Sequence, residues 1–590
     1  MQKIREDYLM LANIWQFIKR HKYVYIAIFM TSLLGSILTI IPNYLTQVFI
    51  DGVVEGTLDG VLLRNLSLVF LAAAILLFLA DSTWGILLFS HSRRYEKDTR
   101  LRLFRKLLDL RSPFYEQYRS GEILTRMTSD IVFMGELVGY GFMVTVGDLL
   151  WVISIILVMI LTISWKVTLV VLIPLAVLII MIYSVSVIVQ KRYELNREAV
   201  SALSSEVLEG VDGVRVIRAY SSRKGSVNSF EAATTLAMNR SNDLVALNSL
   251  FGPLGSIMVG LSSALGMLYS AYLIGQGQLS VGQLVVVQIY IQMLSNSVWG
   301  FADIIPGYKQ GLVSFEKINQ LLNAENSVEL DGTTPLTQIN TIAFQDYQFA
   351  YPKSDRNTLI DINLSFEKGQ TIGIVGKTGS GKTTLVRQFL RQYPIGKAGK
   401  LLINDQNIID YKVKDVESMI GYVPQDHILF SRTVRENILV GNPTATEAEL
   451  QAAIDAADLR KDLVNMPQGL ETLIGEKGVS ISGGQKQRIS IARALIRKAE
   501  LLILDDSLSA VDAKTEINII GNIQSYRQNQ TNIIVTHRLS AVNHADYIYV
   551  MSDGRVVEEG TPQALIEQKG WYYSQYLAQQ MEEEGDYGNV

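Results

Sequence analysis

A chain of 590 residues with 53 Lys+Arg against 57 Asp+Glu and no cysteine is long enough for more than one domain. The missing cysteine excludes disulfide scaffolds, thiol nucleophiles and Cys-ligated metals, and five histidines leave little for a His-rich centre. A nucleic-acid partner has no basic footprint to rest on, and the average hydrophobic content of 48% hides a division within the chain.

Residues 1–322 carry 27 basic and 23 acidic residues, a net of +4, whereas residues 323–590 carry 26 and 34, a net of −8. From Leu244 to Ala302 there is no charged residue at all. A spanning helix needs about 20 mostly apolar residues, and six segments qualify: about 24–50, 66–91, 138–163, 166–190, 251–274 and 281–305. The first is too long, and lacks the small-residue cleavage site, to be a removable signal. Lys19, Arg20 and Lys22 precede the first span, residues 92–126 hold ten Lys/Arg and residues 191–240 hold eight. The opposite loops are poor in positive charge, with only Arg64 in 51–65 and none in 275–280. The expectation is a multi-pass protein of a cytoplasmic membrane with both termini cytoplasmic. The two basic inter-span segments keep apolar residues at helical spacing, so they read as spanning helices prolonged into the cytosol. Their turns fall near Pro113–Gly121 and Gly210–Gly213.

Intramembrane carboxylates are costly and mark function by default. Asp81, Asp148 and Asp303 are three such residues, each with a tryptophan three or four positions away: Trp84, Trp151 and Trp299. That spacing puts each pair on one helix face. A carboxylate beside an aromatic ring suits an amphipathic cation; packing or a wet cavity is the plainer alternative.

A polar stretch over 323–340 reads as a linker. Beyond it, short β-branched runs such as Thr371–Val375, Leu501–Leu504 and Asn532–Thr536 alternate with helical stretches, as in an α/β domain. This domain extends over 341–575, and residues 576–590 read as an acidic tail. Gly376-Lys377-Thr378-Gly379-Ser380-Gly381-Lys382-Thr383 fits the P-loop pattern, followed by Thr384 and placed between a strand and a helical run. Glycines let backbone N–H groups close around phosphate oxygens, and the helix start adds positive potential. Lys382 would reach the β/γ-phosphates and Thr383 would ligate Mg²⁺. The apolar run Leu501–Leu504 ends in Asp505-Asp506, which brings a carboxylate to the metal.

Ser482-Gly483-Gly484-Gln485, between Gly478 and Lys486-Gln487-Arg488, narrows the field. Signature, P-loop and acidic strand in this order resemble an ATP-binding cassette (ABC) ATPase. With six spans on the same chain, the whole resembles an ABC exporter half-transporter. The fold this implies is an all-α, six-helix membrane domain over 1–322 joined to an α/β P-loop ATPase domain. The resemblance also implies site roles. Tyr351 stacks on adenine, Gln425 touches Mg²⁺, His537 contacts the γ-phosphate and Asp512 is the D-loop aspartate. Gly475-Glu476-Lys477-Gly478 resembles the exporter-type loop before the signature, with Lys where Arg is common. It implies ATP and Mg²⁺ as cofactors, the lipid bilayer as surroundings and a second half-transporter as partner. Two cassettes close head to tail, the P-loop of one facing the signature of the other.

One departure matters. The residue after the Walker B aspartate is usually glutamate, and here it is Asp506, whose carboxylate sits roughly 1.3–1.5 Å further back. Positioning a general base contributes about 10²–10⁴-fold, so slow hydrolysis is expected at this P-loop. Ile481 replaces the usual Leu before an otherwise intact signature, which could complete a competent site on another subunit. That combination resembles one member of the heterodimeric bacterial multidrug exporters, whose cargo is hydrophobic or cationic small molecules; a homodimer that tolerates Asp506 is the plainer alternative. Export or flipping of lipid or peptide is the nearest alternative, and an ATP-gated channel or sensor is a more distant one. An importer is disfavoured because importers usually keep spans and cassette on separate chains.

Overall fold

The structure is a computed structural model that describes residues 2–325, 331–354, 356–396, 398–475, 481–508 and 513–587. It divides into two compact units, one of Met1–Leu108 with Ser120–Ala324, the other of Asp109–Arg119 with Glu325–Val590.

The first unit is helical. Among the described residues six helices are long and apolar enough to cross a membrane: Lys22–Glu55, Gly60–Asp109, Ser120–Ile163, Trp165–Asp212, Arg223–Gly275 and Val281–Gly300. The expected fold class is therefore observed, and the helices outrun the apolar spans because amphipathic sequence continues them beyond the hydrocarbon. Only 6% of the apolar window of Gly60–Asp109 is buried, against 50% for Val281–Gly300. The outward apolar faces are made to meet hydrocarbon or a second chain rather than their own core.

The turns follow from local chemistry. Gly56 ends the first span in a left-handed conformation at φ 68°, which glycine adopts without a Cβ penalty. Ser164 caps Trp165–Asp212 through the Lys166 amide, and Ser280 forms a capping box with Gln283. Asp51, at the end of the first span, accepts from Ser280 Oγ and Gly282 N, both at 2.7 Å. A Cβ on Gly282 would sit 2.5 Å from the Gln47 carbonyl, so the approach requires glycine. Farther along, buried Ser262 donates to the Val171 carbonyl at 2.9 Å, and Gly266 lets Val171 and Ile291 close over it. Small and hydroxyl residues at helix contacts are the usual solution where helices pack in lipid. In the basic segments, buried Arg126 donates to the Lys317 carbonyl at 2.9 Å, and Ser314 donates to Asp130 at 2.8 Å.

Among its described residues the second unit holds ten strands: β1 Thr341–Phe349, β2 Leu359–Glu367, β3 Thr371–Gly376, β4 Ala398–Ile403, β5 Gln406–Asn407, β6 Ile420–Val423, β7 Leu501–Asp505, β8 Thr531–Thr536, β9 Tyr547–Ser552 and β10 Arg555–Gly560. An antiparallel sheet has the order β2-β1-β4-β5, and a six-stranded sheet the order β10-β9-β3-β8-β7-β6. In the larger sheet β9, β3, β8, β7 and β6 are parallel and β10 is antiparallel. Alternation divides its side chains between two cores. Ile372, Ile374, Leu501, Ile503, Ile533 and Val535 enter one, while Val375, Leu502, Leu504, Ile534 and Val550 enter the other. A parallel sheet covered on both faces gives such uninterrupted apolar runs. The last helix of the unit, Trp571–Tyr587, carries the acidic C-terminal stretch.

Candidate functional site

Parallel register aligns the carboxyl ends of four strands: Val423 pairs with Leu504, Asp505 with Val535 and Val375 with Thr536. The residues that follow these ends, Gly376–Thr383, Gln425, Asp506 and His537, therefore gather at one sheet edge. This is where open α/β sheets place ligands.

The loop after β3 bends through Gly376, Gly379 and Gly381 at φ 149°, 85° and 99°. A Cβ on Gly376 would lie 2.1 Å from the Met551 carbonyl, so a side chain there would push the loop off β9. The helix Lys382–Phe389 then starts with free N–H groups. Lys382 Nζ folds into the loop and donates to the carbonyls of Gly376 at 2.8 Å and Lys377 at 2.9 Å. Burial pushes this ammonium below its ordinary value, against the pull of Asp506 and Asp505. A half-buried cation satisfied by neutral carbonyls suits a polyphosphate. Lys377, Thr378 and Gly379 are exposed at the loop tip, whereas Ser380 and Thr384 are buried.

Asp505 is fully buried. Its Oδ1 accepts from Thr383 Oγ1 at 3.0 Å and its Oδ2 from the Tyr422 hydroxyl at 3.1 Å. Burial pushes this carboxyl above the usual range, and the two hydrogen bonds hold it down. Tyr422 was not singled out by sequence; a hydroxyl on the strand beside the acidic one is the signal that could have found it. Asp506 adopts a left-handed backbone at φ 46° and donates its N–H to the Val535 carbonyl at 2.8 Å. Its Oδ1 lies 3.0 Å from His537 Nδ1, and its Oδ2 accepts from Gln425 Nε2 at 3.4 Å. The Tyr351 hydroxyl lies 2.9 Å from Thr384 Oγ1, which ties this ring to the P-loop helix.

Ser482 begins the helix Gly483–Leu495 and forms a capping box with Gln485, while Gly483 is exposed and Gly484 half-buried. Among the described residues no hydrogen bond or ion pair joins Ser482–Gln485 to Gly376–Thr384. Arg488, two turns into this helix, makes a buried two-point ion pair with Asp462, at 2.5 and 2.9 Å. Asp512, Glu476, Lys477 and Gly478 lie outside the described residues.

In the membrane unit the aspartates and tryptophans fill spaces left by glycine. A Cβ on Gly35 would meet Asp81 at 3.0 Å, and one on Gly147 would meet Trp84 at 3.4 Å. One on Gly300 would meet Asp148 at 2.9 Å, and one on Gly255 would meet Trp299 at 2.1 Å. Since Gly147 adjoins Asp148 and Gly300 adjoins Trp299, four of the six residues form one layer across five helices. Trp151 packs instead on the cluster of Val167, Val171 and Val287. The side chain of Asp303 lies outside the described residues. Neither Asp81 nor Asp148 accepts a hydrogen bond from a described residue.

Comparison with known proteins agrees with this geometry. Residues 25–298 match the family of the ABC transporter transmembrane region and residues 359–509 match the ABC transporter family. The chain is 40% identical to the Bacillus subtilis (strain 168) protein named "Probable multidrug resistance ABC transporter ATP-binding/permease protein YheI", over 98% of this chain and 99% of that one. It is 32% identical to "Multidrug resistance-like ATP-binding protein MdlA" of Escherichia coli (strain K12), over 93% and 92%. It is 29% identical to the "ATP-dependent lipid A-core flippase" of Pseudomonas syringae pv. tomato, over 96% of each. Its fold matches a bacterial Atm1-family ABC exporter with ATP bound at a TM-score of 0.81, with 22% identity, over 94% of this chain and 99% of that one. The chain belongs to the ABC transporters, as an exporter half-transporter that couples ATP hydrolysis to transport, works as a dimer, and carries a multi-pass membrane domain fused to one nucleotide-binding domain.

Proposed function

We propose that this chain is one subunit of a heterodimeric exporter of amphipathic drugs, and that the ATP site built on its own P-loop hydrolyses slowly. Asp506 carries the reading. Its short carboxylate is held between His537 and Gln425, drawn back from where a glutamate would hold an attacking water. ATP binds with its triphosphate in the Gly376–Thr383 loop, neutralised by Lys382 and the helix N-terminus, and with adenine against Tyr351. The exposed N-terminus of Gly483–Leu495 completes the site on the partner's P-loop, where most hydrolysis occurs. Purifying the chain alone and together with the product of the neighbouring gene tests this. Little Mg-ATPase alone and strong activity together is the expected result; vigorous activity alone, unimproved by Asp506→Glu, overturns it.

Mg²⁺ fits the donors present. Thr383 and Asp505 supply hard oxygens 3.0 Å apart, and Gln425 reaches the adjacent Asp506. Among the described residues no group of three or more His, Cys, Asp or Glu is arranged to hold a metal ion by itself. The other ligands would be phosphate and water, the habit of this ion, which when bound neutralises the triphosphate charge. The Tyr422 hydroxyl helps to keep Asp505 ionised, so Tyr422→Phe removes a hydrogen bond that favours the carboxylate. The raised carboxyl then protonates at a higher pH. Mg²⁺-dependent ATP hydrolysis in the variant should fall away earlier on acidification, read from Mg²⁺ titrations across an acid-to-neutral pH series.

Closure of the paired cassettes is passed to the spans through the turns near Pro113–Gly121 and Gly210–Gly213. Both termini face the cytoplasm of a bacterial cell, the side to which loop charge assigns them. The layer of Asp81, Trp84, Asp148 and Trp299, with Trp151 and Asp303 on the same helices, receives the substrate. The free carboxylates favour cationic amphipaths. Asp81→Asn or Asp148→Asn should therefore weaken efflux of cationic dyes from proteoliposomes while sparing neutral substrates; unchanged dye efflux in both removes the assignment. Lipid flipping is the second reading, favoured by the similarity to a lipid A-core flippase, and a labelled-lipid translocation assay separates the two.

A further inference from the structure

The segment Asp109–Arg119 belongs to the same compact unit as the nucleotide-binding fold. Two side-chain contacts help to hold its short helix Ser112–Gln117 and the residue before it. Arg111 Nη1 pairs with Glu417 Oε1 at 2.5 Å, and Glu116 accepts a hydrogen bond from the Tyr393 hydroxyl. Tyr393 is 2% exposed, and its ring meets Tyr351 edge to face, centroids 4.9 Å apart at 88°. Phe349 closes the aromatic group, 5.1 Å from Tyr351 and 6.0 Å from Tyr393. Tyr351 in turn touches Thr384 on the P-loop helix and lies 3.5 Å from Arg387 Nη1. A continuous path of contacts thus runs from the P-loop helix through two tyrosine rings to one carboxylate of the segment. The Arg111–Glu417 pair is a second anchor of the segment, made to a residue other than the two tyrosines.

We infer that Tyr393 is a positioning residue that transmits occupancy of the adenine side of the site, through Tyr351, to Glu116 and the segment Asp109–Arg119. This rests on the reading that the turn near Pro113–Gly121 passes cassette motion to the spans, and on Tyr351 as the adenine-stacking ring. A base laid on Tyr351 fixes the ring against which Tyr393 packs, and so fixes the hydroxyl that holds Glu116. Edge-to-face rings have a preferred geometry, so restraining one restrains the other. The triphosphate alone engages the loop and the helix start, where the path begins at Thr384, but leaves the face of the Tyr351 ring unrestrained.

Hydrogen exchange over residues 109–119 of the full chain in lipid nanodiscs tests it. ATP should slow exchange in the wild-type segment, whereas inorganic tripolyphosphate, with similar charge and no base, should leave it nearly unchanged. Tyr393→Phe keeps the ring and loses the hydroxyl. Protection by ATP should then fall on the order of tenfold, the effect of one hydrogen bond to a charged group, while binding of trinitrophenyl-ATP persists. Glu116→Gln, which keeps an acceptor oxygen, should retain most of the protection that Glu116→Ala loses. Equal protection by tripolyphosphate, or full protection in Tyr393→Phe, overturns the inference and leaves the turn as a transmission element. Absence of any ATP response in the wild-type segment overturns both.

Discussion

Asp506→Glu should raise steady-state ATP hydrolysis by the purified chain on the order of 10²-fold, measured as phosphate release at saturating Mg-ATP, with little change in KM. The added methylene carries the carboxylate past the position where His537 and Gln425 now hold it, 3.0 and 3.4 Å away, towards the water that attacks the terminal phosphate. Binding groups are untouched, which is why the change belongs in kcat. An opposing effect is the backbone: residue 506 sits at φ 46°, a region aspartate enters more readily than glutamate. That strain is about 1–3 kcal/mol, is carried by the folded chain before and after reaction, and affects stability more than the barrier. Asp506→Asn is the companion measurement. If the site is already slow because its base is misplaced, removing the charge should lower the residual rate less than about tenfold. A drop approaching the full general-base contribution would mean that Asp506 works as it stands.

Features carried by contiguous strings were legible in the sequence. The P-loop, the apolar run into Asp505-Asp506 and the Ser482–Gln485 helix start are local patterns. A parallel sheet with short apolar strands brings their ends to one edge whatever the intervening sequence. The six helices were legible because hydrocarbon imposes length and apolarity on each one independently. Pairings across long separations were not. Tyr393 and Glu116 are 277 positions apart, and neither residue type in isolation marks a contact. The glycines opposite Asp81, Trp84, Asp148 and Trp299 were also silent, because the meaning of a glycine on one helix depends on which helix packs against it. In the sequence Asp462 is one of 34 acidic residues in 323–590, and only the fold sets it beside Arg488.

That pair sets the second large effect. Asp462→Ala should destabilise the signature helix by about 3–5 kcal/mol, so hydrogen exchange across Gly483–Leu495 should accelerate on the order of 10²-fold or more. The side chains of Arg488 and Asp462 are only 10% and 12% exposed, so water cannot replace the lost carboxylate. The planar guanidinium is gripped at two points, which fixes the helix in rotation as well as in position. Energy is therefore lost less through the attraction removed than through the charge left buried and unpaired. The double variant Asp462→Leu with Arg488→Met removes that charge and should recover much of the protection; failure to recover would show that the pair, and not merely neutrality, holds the helix. Function should follow geometry. On the proposal that the free end of this helix serves the nucleotide on the other subunit, Asp462→Ala should slow ATP hydrolysis in the assembled dimer while ATP binding to this chain's own P-loop persists.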